Sequence, residues 1–145
     1  MTLDLTSLRV YTRIMSRCYC ALLRKATRRV TSVYDDALQP IGLNLAQFSL
    51  LRHIARDEPI SMTELGRKIE LERSTVSRNV KVLEGMGLAA TGSGKDQREA
   101  IVELTENGHR ILVDGAPLWQ AAQDKIEVRL GTDAAAQLEE LLLAL

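Results

Sequence analysis

The sequence predicts a mainly α-helical chain with one small β-hairpin. Three observations predict it. Aromatic residues make up only 3% of the 145 residues while Leu, Ala and Arg abound, which favours helices over sheets. Apolar residues recur at helical spacing over most of the chain. The period changes once, at residues 88–104, where two short apolar stretches flank the polar tip Gly92-Ser93-Gly94-Lys95-Asp96-Gln97-Arg98.

From Leu8 to Leu38 apolar residues fall at helical intervals, and no Pro or Gly interrupts before Pro40 and Gly42. A helix of about 30 residues would measure roughly 45 Å, longer than a chain of this size is wide, so a partner subunit is expected to cover it. Asn44 and Gln47 form a capping-box pattern that opens a second helix, closed by Asp57-Glu58-Pro59. Ser61-x-x-Glu64 opens a short third helix with Leu65 and Ile69 inward. After a tight turn, Ser74 or Thr75 is expected to cap a fourth, with Val76, Val80 and Leu83 apolar and Gly87 closing it. Leu88 to Thr91 and Ala100 to Leu104 read as strands. Thr105 caps a helix from Glu106 to about Leu130, with a bend or break expected near Pro117. Gly131-Thr132-Asp133 starts the last helix, which runs to Leu145.

Net charge is zero, with nineteen basic and nineteen acidic residues, but the charge is unevenly spread. Residues 1–39 hold seven basic residues against three acidic ones, and residues 101–145 hold three against eight. An acidic final third therefore masks a basic remainder, and the overall balance does not argue against nucleic acid. No apolar stretch is long enough to span a bilayer and no signal-peptide pattern is present, so no membrane association is expected. Two cysteines in Cys18-Tyr19-Cys20 make no disulfide framework, which fits the reducing cytoplasm.

Two short capped helices, a tight turn and a hairpin make a winged helix-turn-helix. The second helix of such a unit fits the DNA major groove. Here it offers Arg73, Ser74, Thr75, Ser77, Arg78 and Lys81. Ser74, Ser77, Arg78 and Lys81 share one face, opposite Val76, Val80 and Leu83. A solvated helix face is the plainer reading of those residues alone. The adjoining wing turns the balance toward DNA.

This stretch resembles the MarR (multiple-antibiotic-resistance regulator) family of transcription regulators. The resemblance is carried by Leu71-Glu72-Arg73-Ser74-Thr75-Val76-Ser77-Arg78, Leu83-Glu84-Gly85-Met86-Gly87-Leu88, Asp96-Gln97-Arg98 and Leu104-Thr105-Glu106-Asn107-Gly108. It implies a single domain, with 44–104 as the winged DNA-binding lobe and 8–39 and 106–145 as dimerisation helices. It also implies that Arg98 enters the minor groove with Asp96 orienting it. Lys95 adds a phosphate contact, but Ala89-Ala90-Thr91-Gly92 lacks the basic residues that family wings often carry on the first strand. The family function is a homodimeric repressor on a pseudo-palindromic operator, released by a small molecule bound between the dimer helices and the DNA-binding lobe. Arg24, Arg28, Arg29 and Arg52 are candidates to meet a carboxylate there, although basic residues on a helix more often face solvent or phosphate.

Two residues apart in a helix, Cys18 and Cys20 would diverge by roughly 200° and neither chelate jointly nor bond without strain. His53 and His109 show no ligand-like spacing, so no metal site and no cofactor is expected. In the family's hydroperoxide-sensing branch, the reactive cysteine position falls on Cys20 and a thiol-binding tyrosine on Tyr34. The second such tyrosine falls on Leu45, and the C-terminal half has no resolving cysteine. Fourteen residues of helix span about 21 Å, so Cys20 and Tyr34 could meet only between subunits. A small buried hydrophobe at a helix interface is the simpler role for Cys20. An oxidant-responsive regulator using Cys20 is the alternative function, followed by a thiol enzyme and by a DNA-independent interaction module. The lack of a catalytic His, Cys or carboxylate constellation argues against an enzyme.

Overall fold

A computed structural model describes residues 18–94 and 99–145. Helix α1 (Tyr19–Leu38) ends in a 3-10 turn over Gln39–Ile41, with Pro40 at its start. Gly42, at φ 71°, turns the chain into α2 (Leu45–Asp57). There the capping box forms as the sequence predicts: Gln47 N donates to Asn44 Oδ1 at 2.9 Å, and Asn44 N donates to Gln47 Oε1 at 3.1 Å. Strand β1 (Ile60–Ser61) leads into α3 (Met62–Ile69), where Glu64 N donates to Ser61 Oγ at 3.1 Å. Helix α4 (Arg73–Gly85) follows, then β2 (Ala89–Ser93), β3 (Ala100–Leu104), α5 (Glu106–Leu130) and α6 (Thr132–Leu143).

The sheet has three strands in the order β1-β3-β2, antiparallel throughout. Ile60 faces Val102 and Ser61 faces Ile101, which adds a strand to the expected hairpin. Two residues between a helix end and a cap are too few to show a strand period, so β1 escapes sequence reading. Its inner residue Ile60 is buried beside Phe48, Leu51, Ile54, Leu65, Val76, Val80, Leu83 and Val102, the core that binds α2, α3 and α4 to the sheet.

Four other expectations change. The first described helix begins at Tyr19, with an extended Cys18 (φ −69°, ψ 110°) as its N-cap, and the part of the expected helix before Cys18 lies outside the described residues. Helix α4 starts earlier than expected, at Arg73. Its first-turn amides at Thr75 and Val76 donate to the backbone of Glu72, and no side chain caps the end. Ser74 and Thr75 are therefore freed from capping to point outward. Pro117 does not break α5, which runs on through it from Glu106 to Leu130 with the proline on an exposed face. The first strand of the hairpin, β2, is placed at Ala89–Ser93, slightly later than Leu88–Thr91, because Leu88 N still donates to Leu83 O at 2.9 Å.

Helix α5 crosses the lobe at two glycines. A side chain at Gly115 would collide with the Phe48 ring and Ile41, and one at Gly108 would collide with the Leu88 carbonyl. These bare positions let α5 lie against α2 and the end of α4.

Candidate nucleic-acid interface

Helix α4 is amphipathic along its whole length. Val76, Val80 and Leu83 are fully buried, while Arg73, Ser74, Arg78 and Lys81 are exposed and Ser77 and Thr75 are half-buried at the edge. Arg78 Nη2 donates to Thr75 Oγ1 at 3.4 Å, which holds the guanidinium over the first turn. Among the described residues, no carboxylate lies within ion-pair distance of Arg73, Arg78 or Lys81. Unpaired cations beside hydroxyls at an uncapped helix start form a surface suited to phosphates and base edges.

The close approach of α3 and α4 depends on Gly66, where a Cβ would stand 2.7 Å from the Leu71 carbonyl oxygen. Glu70, at φ 55°, makes the turn in the left-handed region. The wing is fixed to α4 by Glu84, whose Oε1 accepts from Thr91 N at 3.1 Å and from Thr91 Oγ1 at 2.6 Å. That carboxylate was not singled out in the sequence. Its partner lies seven residues away on another element, a spacing with no periodic meaning. Lys95, Asp96 and Arg98, expected at the wing tip, lie outside the described residues.

Behind this surface lies a groove of about 500 Å³ between α2 and α5, lined by Phe48, Arg52, Ala55 and Arg56 on one side and Leu112, Ala116, Trp119 and Gln120 on the other. The Arg52 guanidinium lies 4.4 Å from the centre of the Trp119 ring. Tyr34 is buried beneath, with its ring centre 5.9 Å from that of Trp119, and its hydroxyl donates to Gln123 Oε1. Burial raises its pKa, as does the charge of Glu127, while Arg52 opposes them. Burial also lowers the pKa of His53, with Arg56 and Arg52 adding to the effect and Asp57 opposing it. Arg52 was a sequence candidate. Trp119 and Phe48 were not, because each belongs to an ordinary helical stripe and only packing brings the stripes together.

Arg24, Arg28 and Arg29 are exposed on α1, away from the lining of this groove. Cys20 is exposed and Cys18 half-buried. Because Cys18 precedes the helix, the helical divergence expected for the pair does not apply to it. Tyr34 would have to leave Gln123 before it could reach any thiol. Among the described residues no group of three or more His, Cys, Asp or Glu side chains is placed to hold a metal, and no helix is long and apolar enough to cross a membrane.

A short helix, a turn, a groove-sized helix with a polar outer face and a stapled β-hairpin define a winged helix-turn-helix protein. Residues 41–99 match the model of the MarR family. The chain is 34% identical to the *Mycobacterium tuberculosis* transcriptional regulator MosR in complex with DNA, with a TM-score of 0.77, covering 88% of this chain and 96% of that one. A second MosR structure is 32% identical, with a TM-score of 0.70 over 89% and 98% of the two chains. The repressor CouR bound to a 23-mer DNA duplex is 25% identical, with a TM-score of 0.82 over 99% and 98%. CouR from *Rhodococcus jostii* RHA1 bound to p-coumaroyl-CoA has a TM-score of 0.73 at 23% identity, over 88% and 90%. The HTH-type transcriptional regulator YwoH of *Bacillus subtilis* is 28% identical over 88 residues, which span 61% of this chain and 64% of YwoH. The chain belongs to the MarR family of transcription regulators.

Proposed function

We propose that this protein is a homodimeric repressor of transcription that binds pseudo-palindromic double-stranded DNA and releases it when a small molecule occupies the groove between α2 and α5. It acts in the cytoplasm and catalyses no reaction. The observation that carries the reading is the outer face of α4, where Arg73, Ser74, Arg78 and Lys81 stand exposed over a fully buried apolar face and, among the described residues, without acidic partners. The wing supplies the second contact, with Arg98 in the minor groove and Asp96 orienting it. The groove suits an effector with a flat apolar body against Trp119 and an anionic end on Arg52 or Arg56. DNA bound by MosR and CouR, and p-coumaroyl-CoA bound by CouR, support both halves of the reading.

Exposure of Cys20 favours a second reading, in which an oxidant rather than a ligand releases the DNA. One gel-shift experiment on the full chain tests both readings, using the DNA upstream of its own coding sequence. A retarded band at physiological salt is expected, lost on adding an aromatic carboxylate under the first reading or a hydroperoxide under the second. Failure to retard any duplex, with the protein folded by circular dichroism, would overturn the DNA-binding reading.

A further inference from the structure

The wing hairpin is fastened at its base from two sides. Thr105 N donates to Leu88 O at 3.1 Å and Thr105 Oγ1 to Gly87 O at 2.6 Å. On the β1 side, Glu58 Oε2 accepts from Leu104 N at 2.6 Å, while its Oε1 lies 2.9 Å from His109 Nε2, which ties β3 to the first turns of α5. Strand β2 is held by much less. It is an edge strand, Ala89 alone of its five residues is buried, and Thr91 is its one β-branched residue. Beyond the ladder with β3, its fastening is Glu84. Gly87, at φ 72°, ends α4 and turns the chain so that Thr91 comes back beside Glu84. One carboxylate oxygen, Oε1, accepts both donors of Thr91, the edge N–H at 3.1 Å and the hydroxyl at 2.6 Å. Both bonds are charge-assisted. Among the described residues no cation lies within ion-pair distance of Glu84, so its charge is spent on Thr91 and Lys81, one turn back, is left to the outer face.

We propose that Glu84 is a positioning residue for DNA recognition: its grip on Thr91 fixes the angle between the wing and α4, so that both reach one duplex together. The proposal rests on the DNA-binding reading above. Two contact elements on one rigid lobe act as a bivalent ligand. Once α4 is seated, a wing held at the right angle meets its own groove at high effective concentration, and a loosened wing forfeits that gain. The charge of Glu84 acts in the opposite direction, which separates the two roles it could have. A carboxylate that merely sits on a DNA-binding lobe repels phosphates, and its removal strengthens binding. Removal of a carboxylate that positions the wing weakens binding, although the same repulsion is lost.

The test measures binding of the upstream duplex by fluorescence anisotropy at physiological salt, with hydroxyl-radical footprinting of the same duplex. Wild type, Glu84→Ala, Glu84→Gln and Thr91→Val are compared. Glu84→Ala removes both bonds and is expected to weaken binding about tenfold. Glu84→Gln keeps a carbonyl oxygen for both donors but drops the charge, so it is expected to bind at least as tightly as wild type. Thr91→Val cuts the hydroxyl bond from the strand side with a residue that favours strands, so it stays folded and is expected to fall between wild type and Glu84→Ala. In the Glu84→Ala footprint, protection of the flanking minor groove is expected to fade while protection of the half-sites read by α4 persists. A loss caused by general destabilisation would fade both together, and that result would overturn the proposal. So would binding by Glu84→Ala that is unchanged or tighter, or a Glu84→Gln protein as weak as Glu84→Ala. If wild type itself bound no duplex, the DNA-binding reading would fall, and this proposal with it.

Discussion

Arg78 and Lys81 stand about one turn apart on the outer face of α4, and their chemistry separates their roles. A guanidinium already drawn toward Thr75 presents a planar fork suited to a guanine edge, whereas an ammonium is a point charge suited to phosphate. Arg78→Ala is expected to cost about 1–3 kcal/mol of binding and to relax base preference, while Lys81→Ala weakens all sequences alike and lowers the salt dependence. Competition binding against a set of single-base operator variants distinguishes them. Uniform loss in both mutants would contradict the base-reading role of Arg78. These residues were legible in the sequence because their period matched a helix whose opposite face was apolar. Glu58, Glu84 and Trp119 were not, since each acts on a residue from another element. Leu104, 46 residues from Glu58, comes within reach only once β1 has paired with β3.

Among the elements, α5 depends most on close approach. Gly115 faces the Phe48 ring and Ile41, so Gly115→Ala must push α5 away from α2 or displace the ring. A loss of about 1–3 kcal/mol is expected, as in other over-packed cores. Gly85, also helical, has open space where its Cβ would be, and Gly85→Ala is expected to be neutral or to stabilise by up to about 1 kcal/mol. Urea unfolding of the two variants makes the comparison, and equal effects would show that the α2–α5 contact is loose. Helix caps were the readable part of this scale. Asn44, Ser61 and Thr105 each accept the amide that their spacing assigned to them. The start of α4 was not readable, because its first turn is closed by the Glu72 carbonyl rather than by a side chain. Nor was the start of α1, where an extended Cys18 interrupts a stretch whose apolar spacing continues without a break.

For the whole molecule, the unmet need is cover for apolar surface. Helix α6 buries none of its residues, leaving Leu141 at 68% and Leu143 at 81% exposed, and α1 exposes Leu22, Leu23 and Val30. A second copy packed around a two-fold axis is expected to cover both helices and to set two α4 helices about 34 Å apart, one turn of duplex DNA. Light scattering at micromolar concentration is expected to give twice the 16.1 kDa chain mass, and a monomer there would exclude the arrangement.

By itself the sequence determined the order of helices and hairpin and the inward and outward faces of α4. All of these are local: a period, a cap or a turn needs only neighbours along the chain. The tertiary structure alone decided the third strand, the groove closed by Arg52 over Trp119, and the Glu58 tie between wing and α5. Each depends on which distant surfaces meet, and that follows from burying the apolar faces of α2, α4 and the sheet together, an energy summed over the whole core and visible in no single segment.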